Sequence, residues 1–412
     1  MIGHILRLIW NRRRASWLVT VEIAAAFLVV FVVFALSLHA WSNYRQPLGF
    51  AYENVWRVSV ANDGLGADPH MLQREIRASR DQILAAIRLL PGVVGAHSIT
   101  STPFSGFWGM SSLGPPGHAV WTKMNGLSSE ALKDLGVPVV AGRMFGPADE
   151  GQDYRAALVN RYFADHVLSG DPIGQRINFP PPGDPRLVAQ VPPEELREAL
   201  REIRVVGVIE DFRQDGEFAE VMPYVILREE PVGYVPTDLF VKVASGTDRR
   251  LEERIVAAVS TAASGFSGAV TSWDELREAN HVYALLPFRV GATLAVFLLA
   301  MVALGLIGIV WQDVVRRTQE IGVRRAAGAS AGAVRSQILL EVLVIGCAGI
   351  VIGGLLAIQI PLLMIVKQID WAAALPALGL STALILLLAA SAALYPALLA
   401  SHRDPALALR FE

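Results

Sequence analysis

Four long apolar runs, at 17–41, 286–311, 338–366 and 373–400, punctuate the 412-residue chain. Each exceeds the roughly 20 residues that a helix needs to cross hydrocarbon about 30 Å thick, so four transmembrane helices are predicted. Trp17 and Trp41 bracket the first run, as aromatic residues do at membrane interfaces. A cleaved signal peptide is the competing reading of this run. Its apolar region would be only about 7–15 residues long, so the run is read as an uncleaved anchor. The third run carries Gly346, Gly349, Gly353 and Gly354. The spacing Gly349-x-x-x-Gly353 is a close-packing motif for helices in lipid. A tight outer turn is expected at 367–372.

Between the first two runs the pattern changes. Residues 42–285 mix period-two and period-3.6 segments, as a folded α+β domain does. Trp56, Val58 and Val60 share one face of a strand. Ile76, Ile83, Ile87 and Leu90 form one stripe of a helix, which Pro91-Gly92 ends before a second strand at 93–99. The same order returns at 238–272, where Leu251, Ile255 and Val259 mark the helix. Two strand–helix–strand units separated by an insertion at about 125–227 predict a split ferredoxin-like layer plus an inserted subdomain. Within the insertion, Ser128 or Ser129 can cap a short helix, and Val205 to Ile209 reads as a buried strand. The proline-rich stretch 180–196 reads as a local loop. Phe104, Phe107 and Trp108 sit on a loop that is either a binding surface or internally packed.

Composition agrees with a membrane protein: 53% of residues are hydrophobic and mean hydropathy is +0.42, against about 45–50% apolar in soluble domains. The net charge of −2 identifies no partner and gives no sign of nucleic-acid binding. The distribution of charge is informative. Residues 313–336 hold Arg316, Arg317, Arg324, Arg325 and Arg335 against Asp313 and Glu320, and the amino terminus holds Arg7, Arg12, Arg13 and Arg14. Arginines flanking spans mark the cytoplasmic side. Both termini (1–16 and 401–412) and the 312–337 loop are therefore expected inside, with 42–285 outside. Two acids fall within predicted spans. Glu341 lies near the inner end of the third. Glu22 is a functional candidate in the first, unless it reaches the interface or pairs with the amino-terminal arginines.

Other chemistry is thin. Cys347 is the single cysteine, so redox compartment is not legible, and the eight histidines show no metal-ligand spacing. No Gly-x-x-x-x-Gly-Lys-Ser/Thr loop occurs, so no bound cofactor is expected, and ATP with Mg belongs on another polypeptide. Gly328-Ala-Ser330-Ala-Gly332 matches the nucleophile-elbow pattern but lacks the strand that should precede it. No enzyme chemistry is expected of this chain.

The sequence Arg-Arg-x-x-Glu-Ile-Gly-Val-Arg-Arg-Ala-x-Gly at 316–328, followed by Gln-Ile-Leu-Leu-Glu and a glycine-rich span, resembles the signature of MacB/FtsX-type ABC transporter permeases. The phrases at 125–145, 157–179 and 203–213 resemble the periplasmic core domain of the MacB type, and 396–410 resembles the usual closing phrase. Trp311-Gln312 departs from it where a small polar residue is expected. The resemblance implies that Arg316, Arg317, Glu320, Ile321, Gly322, Arg324, Arg325 and Gly328 belong to a coupling helix docked on a cytoplasmic ATPase. On such a helix positions three and four apart share a face, so Arg317 and Arg324 are expected on Glu320's side. It implies a second permease chain, with an adaptor and an outer-membrane channel as further partners, in a bacterial inner membrane. Some such proteins carry the ATPase ahead of the first span, where this chain has only 1–16. The implied function is mechanotransmission that drives export or extraction of a periplasmic cargo. The alternative is an FtsX-like regulator that signals to a cell-wall hydrolase.

Overall fold

The computed structural model describes residues 13–62, 69–106, 109–179, 201–228 and 238–402. The 180–196 stretch, Phe107, Trp108, Arg7, Arg12 and the closing 403–412 phrase lie outside the described residues. The chain forms two compact units. One is Asn43–Ala284, and the other combines Met1–Ser42 with Leu285–Glu412.

Helix α1 runs unbroken over Arg13–Tyr44. Ile23, Phe27, Phe31 and Ala35, four residues apart, form its buried stripe.

The Asn43–Ala284 unit contains β1 (Val55–Asn62), α2 (Pro69–Arg88), β2 (Val93–Ile99), β3 (Gly109–Leu113), β4 (Val120–Gly126), α3 (Ser129–Asp134) and β5 (Val139–Gly142). There follow β6 (Tyr154–Asn160), α4 (Arg161–His166), β7 (Arg176–Ile177), β8 (Glu202–Ile209), β9 (Tyr224–Leu227), β10 (Asp238–Val243), α5 (Arg250–Ala262) and β11 (Phe266–Ser272). Strands β11-β1-β10-β2 form an antiparallel sheet in that order. This is the split strand–helix–strand arrangement expected from the repeated pattern. Trp56, Val58, Val60, Leu239 and Val241 point from one face onto Ile83 and Ile87 of α2 and Leu251, Ile255 and Val259 of α5. Each such side chain contributes about 1.5–3 kcal/mol on leaving water.

The inserted subdomain is a mixed seven-stranded sheet in the order β3-β4-β9-β6-β8-β5, with β7 on β8. It begins earlier than expected, because β3 and β4 already belong to it. Gly-Met-Ser-Ser-Leu shows no period-two alternation, since its strand lies at a sheet edge and is only partly covered on either face. Strands β4 and β9 pair in parallel, as do β6 and β8. Ser128 is the residue that caps α3, accepting from Ala131 N at 3.1 Å, while the Ser129 hydroxyl donates to Phe145 O. Phe104 turns inward and packs on Phe50 and Tyr52, so this part of the aromatic loop is internal.

Helix α6 spans Trp273–Arg316, α7 Thr318–Ala326, α8 Ala331–Leu362 and α9 Trp371–His402. With α1, helices α6, α8 and α9 are long and apolar enough to cross a membrane. Three expected boundaries need correction. Helix α8 ends at Leu362, so residues 363–366 of the third run belong to the outer turn. Helix α6 starts well before the 286–311 apolar run, because residues from Trp273 on are helical although polar. The outer turn closes by Asp370, whose carboxylate accepts from Ala373 N and caps α9, so Trp371 and Ala372 are helical. Inside the bundle α9 presents Ala374, Ala377, Ser381, Ile385, Ala389 and Ala393, all fully buried. Small residues at such contacts let helices approach closely where lipid supplies no hydrophobic drive.

Candidate functional site: the loop between α6 and α8

The 312–337 segment is not one helix. Helix α6 continues through Arg316, Arg317 stands at the amino-terminal cap of α7, and only Thr318–Ala326 forms the short helix. The break follows the sequence: the Thr318 hydroxyl donates to Val314 O at 2.9 Å, a local bond that competes with continued helix. The other end is set by Gly328 at φ +96°. Ala329 N donates to Arg324 O at 3.0 Å and Gly328 N to Arg325 O at 3.1 Å. These two bonds are the Schellman closure, which needs a left-handed residue. Ser330 then caps α8 through Ala333 N at 3.2 Å. Its hydroxyl serves the backbone, and the nucleophile-elbow match has no structural counterpart.

The charged side chains split into two sets. Glu320 pairs with Arg324 one turn later, and Arg324 Nη1 also donates to Gln337 Oε1 at 3.0 Å. Gln337 Nε2 donates to Glu341 Oε1 at 3.2 Å. Arg317 does not lie on Glu320's side as expected. It binds Glu341 instead, with both side chains about 15% exposed. A chain of polar contacts therefore runs Glu320, Arg324, Gln337, Glu341, Arg317 and braces α7 on the first turns of α8. Gly322 is buried and Ile321 and Arg325 half-buried, while Arg316, Gln319, Glu320, Val323 and Arg324 face outward. The sequence reading missed Gln337 and the partner of Glu341. The available signal was the surplus of arginines over acids in the loop, together with the four-residue spacing of Gln337 and Glu341 on α8.

The remaining candidates lie in the helix bundle. A Cβ at Gly349 would fall 2.6 Å from Ile23 Cγ2 and 3.0 Å from Thr20 O, and one at Gly353 2.9 Å from Ala24 O. At Gly346 and Gly354 it would meet only ordinary contacts, at 3.7 Å and 4.0 Å. The glycine ladder thus seats α1 through two of its four members. Glu22 is half-buried, and its Oε2 lies 3.2 Å from where a Cβ on Gly305 would stand. The amino-terminal partners considered for it lie beyond the described side chains. Among the described residues, no cluster of His, Cys, Asp or Glu is arranged to hold a metal.

Four helices apolar enough to span a membrane, an α+β domain between the first two, and an arginine-framed short helix between the second and third define a permease-type membrane protein. The sequence profile of the MacB-like periplasmic core domain matches residues 16–258, and that of the FtsX-like permease C-terminal region matches 292–405. The chain belongs to the MacB/FtsX-type ABC transporter permeases. It is 23% identical over 422 residues to the pyoverdine export ATP-binding/permease protein PvdT of Pseudomonas fluorescens, covering 98% of this chain and 58% of that protein. It is 23% identical over 240 residues to the macrolide export ATP-binding/permease protein MacB of Neisseria gonorrhoeae, covering 57% of this chain and 34% of that protein. The chain thus spans from a third to somewhat over half of these relatives. The periplasmic region of MacB from Actinobacillus actinomycetemcomitans superposes with a TM-score of 0.37 at 12% identity, over 56% of this chain and 94% of that one.

Proposed function

We propose that this chain is the permease subunit of an ABC exporter in a bacterial inner membrane. ATP and Mg bind a separate ATPase that docks on α7 from the cytoplasm, a second permease chain completes the membrane part, and the outer domain moves a periplasmic cargo by mechanotransmission. An adaptor and an outer-membrane channel complete the path. The observation that carries this reading is the division of labour in the loop. Arg317, Gln337 and Glu341 fix α7 to α8, which leaves Arg316, Gln319, Glu320, Val323 and Arg324 outward-facing. An exposed, charged helix rigidly joined to a span suits a docking element, since charge-assisted hydrogen bonds gain strength when a partner buries them.

Glu320→Lys tests it. The exposed Glu320–Arg324 pair is worth only a few tenths of a kcal/mol, so the variant inserts and folds. It is expected to lose co-purification of the ATPase and to abolish export in cells. Retained co-purification with full activity would show that the loop only anchors topology. Recovery of a cell-wall hydrolase, in place of an adaptor or channel, would favour a signalling role.

A further inference from the structure

Residues 211–217, Asp-Phe-Arg-Gln-Asp-Gly-Glu, follow β8 by a single residue and use almost every side chain in a contact. One set faces the seven-stranded sheet. Asp211 accepts from Asn160 Nδ2 at 2.9 Å and from Tyr162 N at 2.8 Å. Phe212 stacks on Phe50 at 4.5 Å between centroids. Gln214 bonds Tyr224 and Ser101, and Asp215 pairs with Lys123 of β4. The other set faces the two helices that flank the domain. Arg213, 4% exposed, donates to Asn43 O at 2.6 Å and Gln46 O at 3.1 Å at the end of α1, and to Glu217 O and Ala219 O, both at 2.7 Å. Glu217, 5% exposed, accepts from Arg277 and, at 2.8 Å, bonds His281, both on the first turns of α6. Asn280 Nδ2 donates to Asp215 O at 2.8 Å, and Phe218 stacks on Tyr44.

We propose that residues 211–217 are the joint that ties the outer ends of α1 and α6 to each other and to the seven-stranded sheet, with Arg213 and Glu217 as its positioning residues. Motion of the two helices then reaches the inserted subdomain through β8 and β4. The ferredoxin-like layer is not the sole lever. The chemistry suits a joint. A planar guanidinium collects carbonyls from two chain segments at once, and a buried carboxylate holds two α6 side chains, Arg277, which also lies over the Tyr52 ring, and His281, which stands edge-on to Phe218. The source of the motion rests on the transport reading above; the joint itself does not.

Hydrogen exchange read by mass spectrometry on the full chain with its co-purified ATPase, with and without a non-hydrolysable ATP analogue, tests the joint. Without nucleotide, Glu217→Gln is expected to speed exchange at 277–284 by about tenfold and leave β4, β6 and β8 unchanged, because local opening follows loss of local bonds. Unchanged exchange at 277–284, or a uniform rise across the domain, would overturn the joint. Should this variant fail to fold, Arg277→Gln and His281→Gln each remove one partner from the more exposed side. With nucleotide, the wild type is expected to change exchange both at the start of α6 and in β8, and Glu217→Gln only at the start of α6. A variant that still passes the full change to β8 would also overturn the joint. A wild type with no nucleotide-dependent change would count against the transport reading, and the nucleotide-free arm would still decide the joint.

Discussion

Arg317 Nη1, at the amino-terminal cap of α7, donates to both carboxylate oxygens of Glu341 on α8, at 2.9 and 3.1 Å. A residue expected to face a partner is thereby paired within the chain, as a brace between α7 and α8. Removing one partner of a buried pair strands the other charge, which costs about 3–5 kcal/mol when burial is complete and less here, where both side chains keep some exposure. Glu341→Ala should lower the thermal midpoint of the purified full chain, and Glu341→Gln, which keeps an acceptor, should lower it less. Exchanging the two, as Arg317→Glu with Glu341→Arg, should recover more than half of the loss. An unchanged midpoint for Glu341→Ala would remove the brace from the account.

The glycine ladder makes a signed prediction. At Gly349 an added methyl meets Ile23 and the Thr20 carbonyl well inside contact distance, so Gly349→Ala should destabilise by about 1–3 kcal/mol through overpacking. At Gly354 the added methyl would meet only Phe27, at an ordinary contact distance of 4.0 Å, and alanine gains about 0.5–1 kcal/mol over glycine in a helix. Thermal midpoints of the two variants should therefore move in opposite directions. A similar shift for both would mean that α8 does not seat α1 at Gly349.

Topology is checked by reporter fusions at Gly151 and Ser330. With arginines marking the inner flanks, a periplasm-active reporter should work at Gly151 and fail at Ser330. Equal signals at both would contradict the four-span arrangement.

The segment Asn43–Ala284 closes its own cores beneath both sheets and should fold when expressed alone. Its acid stability has a sign fixed by two carboxylates. Burial alone would raise the Glu217 carboxyl, but hydrogen bonds from His281 and Arg277 outweigh it and hold it below the ordinary 4.5. The Arg143 hydrogen bond likewise holds Asp149 below 3.8. A carboxylate whose folded pKa is depressed contributes stability that is full above its unfolded value and lost as pH falls through the folded one. The melting temperature should accordingly fall steeply below about pH 4.5. Glu217→Gln should melt lower than the wild type at pH 7 and fall less on acidification. Parallel curves for the two proteins would show that Glu217 is not the acid-sensitive group.

Much of this architecture is readable from period alone. Ile83, Ile87, Leu251, Ile255 and Val259 announce helices on a sheet because burial on one face forces apolar residues into register with the helix. Runs at 338–366 and 373–400 announce spans because lipid admits almost nothing polar. The motif at 316–328 is legible for a different reason: a short helix that buries Gly322 and closes on a left-handed Gly328 has little freedom in where those glycines stand.

What the sequence determined by itself was therefore what repeats locally: four spans, the strand–helix–strand order, the arginine-framed loop and its closing glycine. Only the tertiary structure decided which charges meet. Arg317 turns to Glu341 because folding brings the start of α7 against α8, a relation between residues 24 positions apart that no local period records. Gly349 and Gly353, and not Gly346 or Gly354, are required bare because α1 crosses α8 at those two positions. Arg213 and Glu217 join chain segments as far as 170 residues away, so only folding brings their partners within hydrogen-bond reach. Strand β3 joins the inserted subdomain through an edge pairing that its own five residues do not encode. In the first three cases the deciding force is a short-range contact between segments distant in sequence, which a chain read in order does not show.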